Sequence, residues 1–338
     1  MRRNSLVVAV VAFASLILFL GHIGGDNGLF AQGMGRGMPM RDPGMDAPPP
    51  PRQERAYRSP FDLAFSPDGS MLAVSDRTAG YLYILDSRTG DFNKTIRLRG
   101  KPSALAWTSA ETVAVCEYDA GTVAEANVQT GEILRRFFVG PKPIGLAAAT
   151  KKGILVVCDY GLHTVTLVNT RSGTQRPPIP AGNHPYSAAI TPDERIAVVT
   201  NLLPSGSAAE HASTSLVSLI DLDEGTKIAD VALPDNSCAV RNVRISPDGR
   251  WAYVVHTRGR TMLPTTQLDR GWVNTNALSI IDLNDAGGSQ TRPYATVLLD
   301  TVTEGAADPW GIALSPDGKT AWISIAGAHQ IARIDLGR

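Results

Sequence analysis

Cysteine is scarce in this chain of 338 residues: there are three, and an odd number in an exported protein makes no disulfide framework. Cys116 and Cys158 stand 42 residues apart at matching places of neighbouring repeats, which reads as two small buried strand residues; Cys238 stands alone. Charge of one sign is also lacking. Basic and acidic residues number 32 each, so nothing electrostatic points to nucleic acid or an anionic membrane surface as partner. No apolar run is long enough to span a bilayer comfortably, since Leu6 to Leu20 is 15 residues where about 20 are needed. Following Arg2 and Arg3, that run reads instead as an export signal over residues 1–31, cut after Ala31. An uncleaved anchor is the alternative, because Leu29 suits the cleavage site poorly. The protein is therefore expected outside the cytoplasm, in the periplasm or on the cell surface. H-E-x-x-H and G-x-S-x-G are both missing, which removes the sequence signatures of a zincin site and of a serine-hydrolase elbow. No segment reads as a long amphipathic helix, which argues against a βαβ design.

What the chain has is repetition. Residues 32–57 are rich in Gly, Met and Pro and read as an extended linker. Beyond it, Ser66-Pro-Asp-Gly69, Thr191-Pro-Asp-Glu194, Ser246-Pro-Asp-Gly249 and Ser315-Pro-Asp-Gly318 are copies of one turn. Thr89-Gly90, Thr130-Gly131 and Ser172-Gly173 mark a second, and Pro60, Pro102, Pro143, Pro185 and Pro309 open successive units with a period of about 42 residues. Within one unit, Phe61 to Phe65, Leu72 to Ser75, Tyr81 to Leu85 and Thr95 to Leu98 read as four short strands. Four strands per unit predict an all-β propeller over residues 58–338 with six repeats visible. The fourth and fifth repeats are stretched, from Leu202 to Thr214 and from Arg258 to Asn276, both between the second and third strands and hence on one face. The sixth repeat stops after its third strand. Either Gln53 to Arg58 supplies the missing strand, or the chain is a truncated version of a longer protein with another blade; the polar Gln-Glu-Arg favours the second expectation.

The runs Leu72-Ala-Val-Ser-Asp, Tyr81-Leu-Tyr-Ile-Leu-Asp and Thr89-Gly, with their echoes Ile196-Ala-Val-Val-Thr-Asn and Ala277-Leu-Ser-Ile-Ile-Asp, resemble the bacterial YVTN-repeat propellers, including surface-layer-type and YncE-like proteins. The stretch from His256 through Gly271-Trp-Val-Asn-Thr-Asn276 resembles a subgroup joined to a cytochrome c peroxidase-like domain. The chain departs from that subgroup in lacking C-x-x-C-H, so it attaches no c-type haem of its own. The resemblance implies a fold, and such repeats serve many functions.

The site reading rests on topology. Second strands end, and the next first strands begin, on the face that carries the insertions. The column at those ends reads Asp76, Glu117, Asp159, Asn201, His256 and Ile325. Asp76, Glu117, Asp159 and Asn201 are candidate ligands of a divalent cation, if they converge; the alternative is that they cap the turns at the strand ends. His184, Arg241, His256, Arg258, Arg260 and Trp310 are assigned to a ligand or partner face. Two functions follow: a binding scaffold that docks a protein partner, with a periplasmic cytochrome or peroxidase as candidate, or an enzyme or enzyme subunit, lactonase-like or oxidoreductase-associated, using the cation. The first needs no chemistry beyond the surface itself.

Overall fold

Short runs of Val, Ile, Leu and Ala broken by Pro-Asp-Gly turns can bury their apolar faces only by stacking one hairpin unit on the next. In the computed structural model they do so. Residues 57–207, 213–260, 273–285, 292–301 and 303–337 are described. The export segment expected over 1–31 and the linker over 32–57 lie outside them, apart from Tyr57. Contacts divide the chain into residues 1–58 and 59–338, and the second unit holds six antiparallel sheets, five of four strands and a sixth of three, each in chain order. These are six blades of a propeller. Of the candidate closing segment Gln53 to Arg58, only Tyr57 and Arg58 are described, and neither is in a strand.

The repeated turn explains where each blade folds back. Ser66 Oγ donates to Asp68 Oδ1 at 2.5 Å and accepts the Met71 amide at 2.9 Å, while Gly69 adopts a left-handed φ of 73°. The Ser66 hydroxyl, helped by Ser70, holds the Asp68 carboxyl at about 2. Thr191 with Asp193, Ser246 with Asp248 and Ser315 with Asp317 repeat the same bond. At the glycine position the fourth blade carries Glu194 instead, with φ 58°. Its carboxylate accepts the amides of Lys151 and Lys152 from the blade before at 3.1 and 3.0 Å, so an unfavourable backbone angle is offset by a tie between blades.

First strands run Pro60–Phe65, Pro102–Trp107, Pro143–Ala149, Pro185–Ile190, Ser237–Ile245 and Pro309–Leu314, and successive ones pack side by side around the axis. Five apolar clusters lie between successive blades; Leu82, Ile84, Leu105 and Val115, for example, close the seam between blades one and two. Trp107 Nε1 donates to the Ala64 carbonyl across that seam at 3.0 Å. Cys116 and Cys158 are buried and free, in the strand positions expected of them. The fifth-blade insertion differs from the sequence reading. Arg258, Thr275 and Asn276 belong to an extended hairpin, Trp251–Gly259 against Asn274–Asp282, paired out to Gly259 and Asn274. The cause is a ladder that simply continues outward where the other blades turn.

Among the described residues no helix is long and apolar enough to cross a membrane. The seam between blades three and four is tight backbone to backbone, since a Cβ built on Gly145 would stand 2.3 Å from the Tyr186 carbonyl oxygen. Gly145→Ala should therefore force these first strands apart and cost about 1–3 kcal/mol in equilibrium denaturation.

Candidate functional site

The column named from sequence is a structural reality. Second strands end at Asp76, Glu117, Asp159 and Asn201, and these residues pair in register with Pro60, Pro102, Pro143 and Pro185. All four are buried. Each, however, is engaged close to its own strand end. Asp76 Oδ1 accepts the amides of Ser59, Thr78 and Ala79 at 3.0, 3.1 and 2.9 Å. Asp159 Oδ1 accepts those of Gly161 and Leu162 at 3.0 and 3.2 Å, and burial raises its pKa against the pull of these amides. Asn201 Nδ2 donates to the Leu216 carbonyl and to Ser218 Oγ at 2.8 and 3.1 Å. Glu117 takes a bidentate bond from Arg136, at 2.9 Å from Nε and 3.2 Å from Nη2, and accepts the Arg99 amide and the Thr122 hydroxyl. The structure thus does not bring the four candidate cation ligands together. Among the described residues no group of three or more His, Cys, Asp or Glu side chains is placed to hold a metal ion. The unused Oδ2 of Asp159 faces Gly140, where a Cβ would approach it to 2.1 Å, so the orphan oxygen is seated between blades rather than aimed at a shared centre.

His256 continues the column but does not reach the surface assigned to it. It is fully buried, with Nε2 at 2.9 Å from Ser279 Oγ and Nδ1 at 3.4 Å from the Thr257 carbonyl. Burial pushes its pKa down to about 4. Arg258 lies on the extended hairpin, its Nε 3.4 Å from the Asp235 carbonyl, and Arg260 is paired through its backbone to Val273.

Of the remaining residues assigned to a partner face, Arg241 and Trp310 meet at the cavity lined by the first strands, while His184 packs among residues of the third repeat. Arg241 bonds Asp308 at 3.2 Å and lies over the Trp310 ring at 4.1 Å. Arg77 lies over the Tyr118 ring at 4.4 Å and the Phe61 ring at 5.2 Å. His184 meets the rings of Tyr160 and His163 edge-on at 4.2 and 4.5 Å, and its backbone amide donates to His163 Nδ1 at 3.0 Å. Burial, with His163 and Lys142 nearby, lowers the pKa of His184. His163 and His184 both hold left-handed φ angles, 57° and 61°, a backbone state that side chains other than glycine rarely adopt. The result is three groups of guanidinium and ring side chains on this rim, Phe61 with Arg77 and Tyr118, Tyr160 with His163 and His184, and Arg241 with Trp310 and Asp308, each in cation–π or edge contact.

Below the rim, residues of all six first strands line a cavity of about 130 Å³. Asp62 and Arg244 face into it with Ser187 and Asn242. Burial raises the Asp62 carboxyl against the Leu105 amide and Arg244, and burial lowers Arg244 against Asp62, so each feels the other across the space. The sequence reading missed this pair. Its signal was available in the repeats: four residues after each opening proline stand Ala64, Ala106, Ala147, Ala189 and Ala313, and the corresponding residue of the fifth blade, two before its turn serine, is Arg244. A second cavity, about 270 Å³, lies between the fifth-blade hairpin and the start of the sixth blade, beside Asn276, Asp300 and Asp308. There Asp300 already accepts the amides of Asn276 and Ala306 at 2.5 and 2.7 Å.

No protein-family model matches the chain. Subunit beta of hydrazine synthase from Kuenenia stuttgartiensis is 26% identical over 283 residues, covering 82% of this chain and 70% of that relative. The solved structure of Kuenenia stuttgartiensis hydrazine synthase superposes with a TM-score of 0.73 at 24% identity, over 84% of this chain and 80% of that one. The structural likeness concerns the propeller fold.

Two outcomes follow from the column. Glu117→Ala removes the acceptor of four donors and leaves Arg136 unpaired, which should cost about 3 kcal/mol or more in chemical denaturation. His256 binds its proton more weakly folded than unfolded, so stability should fall as pH drops from about 6.5 towards 4, by on the order of 3 kcal/mol. His256→Asn, which copies the residue at this position of the fourth blade, should flatten that part of the stability–pH curve.

Proposed function

We propose that this chain is a non-catalytic propeller subunit of a multi-subunit redox enzyme of the hydrazine synthase kind, exported to the cell envelope, whose rim docks a haem-carrying partner. The observation that carries the reading is the similarity over 283 residues to a protein named as the beta subunit of such an enzyme. The sequence supports the division of labour, since the chain has no C-x-x-C-H and it resembles propellers joined to peroxidase-like domains, in which the haem is carried outside the propeller. The geometry supports the docking face. Arg, Trp and Tyr are the residue types that dominate binding energy at interfaces, and here Arg77 is held against Tyr118, Arg241 against Trp310 and Tyr160 against His184, so less ordering remains to oppose association. Export is supported by Arg2, Arg3 and the apolar run from Leu6 to Leu20.

The test is affinity purification of the full chain from the envelope fraction of its own host, with mass spectrometry and haem staining of what accompanies it. A stoichiometric haem protein is expected. The Arg241→Ala, Trp310→Ala double variant should capture roughly tenfold less of it or lower, with the melting temperature of the free chain little changed. A chain that purifies alone, or a double variant that captures as much as the wild type, would sink the proposal.

A further inference from the structure

Asp62 and Arg244 break a pattern that the other blades keep. Two residues after the opening proline, or at the matching place, the first strands carry Ala104, Gly145, Ser187, Asn242 and Gly311, and only the first blade carries a carboxylate there, Asp62. Only the fifth carries a charge at the alanine position, Arg244. Small residues are what a crowded axis requires, so an arginine there needs a physical reason.

Its hydrogen bonds supply half of one. Nη1 donates to Asn242 Oδ1 and to the Val243 carbonyl, both at 3.0 Å, which pins the guanidinium plane. Nε and Nη2, the two donors of the side-on fork, have no protein acceptor among the described residues. Asp62 does not take that place. Its Oδ2 accepts the Leu105 amide at 3.0 Å and its Oδ1 the Leu63 amide at 2.9 Å, and it forms no ion pair with Arg244 although both line the same cavity. The other cation on the cavity, Arg241, is occupied with Asp308 and Trp310.

We propose that the channel is a binding site for a small planar carboxylate-type monoanion, held side-on by Nε and Nη2 of Arg244. Three features select that class. A guanidinium fork with two parallel free donors matches a planar oxyanion with two oxygens on one edge. The cavity of about 130 Å³, closed in by the six first strands, has room for an anion the size of formate or acetate. The facing Asp62 carboxylate disfavours multiply charged anions. The site lies beneath the rim and stands independently of the docking proposal, because it asks nothing of a partner.

The experiment is isothermal titration of the purified full chain with sodium formate at neutral pH, and with sodium chloride at the same ionic strength. Saturable formate binding without saturable chloride binding is expected. Arg244→Met should weaken it by about tenfold to a hundredfold, the effect of losing charge-assisted hydrogen bonds. Arg244→Lys, which keeps the charge and loses the fork, should weaken it about tenfold and serves where the methionine variant does not fold. Asp62→Asn should bind formate at least as tightly as the wild type. Absence of saturable formate binding, equal binding of chloride, or undiminished binding by either folded Arg244 variant would overturn the assignment.

Discussion

The close approach of the first strands around the axis is the constraint on which the rest of the structure depends. Each blade can bury its apolar face only against the next, so the strand nearest the axis must pass its neighbour at backbone distance. Gly145 against the Tyr186 carbonyl is the extreme case, and the alanines four residues after the opening prolines serve the same end. Bonds that cross the seams, from Leu105 to Asp62, from Trp107 to Ala64 and from Lys151 and Lys152 to Glu194, then fix the rotation of one blade on the next. Once that rotation is set, the ends of the second strands and the starts of the first strands must share one face.

On that face the polar residues divide into two kinds of work. Asp76, Asp159 and Asn201 bond backbone or side-chain groups near their own strand ends, and Glu117 neutralises Arg136. Buried groups bonded in this way stabilise the corners of the blades and are poorly available to a ligand. The residues that follow them in the chain, Arg77, Tyr118 and Tyr160, lie at the rim, where Arg77 meets Tyr118 of the next repeat and Phe61 of its own, Tyr160 meets His184, and Arg241 meets Trp310. The corners hold the rim residues that follow them, and these are the groups proposed above to meet a partner.

The propeller was legible because its period is written in the turns: Ser-Pro-Asp-Gly, Thr-Gly and an opening proline recur at fixed offsets, and each has a local mechanism that works without tertiary context. The column of Asp76, Glu117, Asp159 and Asn201 was legible for the same reason, but its role was not. Whether carboxylates in successive repeats converge depends on the distance across the ring, which no spacing within a repeat encodes; here each is bonded at its own strand end, and Oδ2 of Asp76 and of Asp159 and Oδ1 of Asn201 stay buried without a hydrogen-bond partner among the described residues. His256 shows the same limit, since its position in the column said nothing of Ser279, its partner in the adjoining strand. Asp62 and Arg244 went unread for a different cause. Each is ordinary within its own repeat and becomes informative only when the six first strands are laid side by side.

The central claim is that this propeller presents the face carrying the second-strand ends to a partner. Hydrogen–deuterium exchange of the chain alone and within the assembly isolated from its host tests it most directly. The account predicts slowed exchange of the amides around Arg77 to Ala79, Tyr118 to Ala120 and Gly161 to His163, with the opposite turns at Ser66 to Gly69 and Ser246 to Gly249 unchanged. Protection confined to those opposite turns, or none on either face, would contradict it.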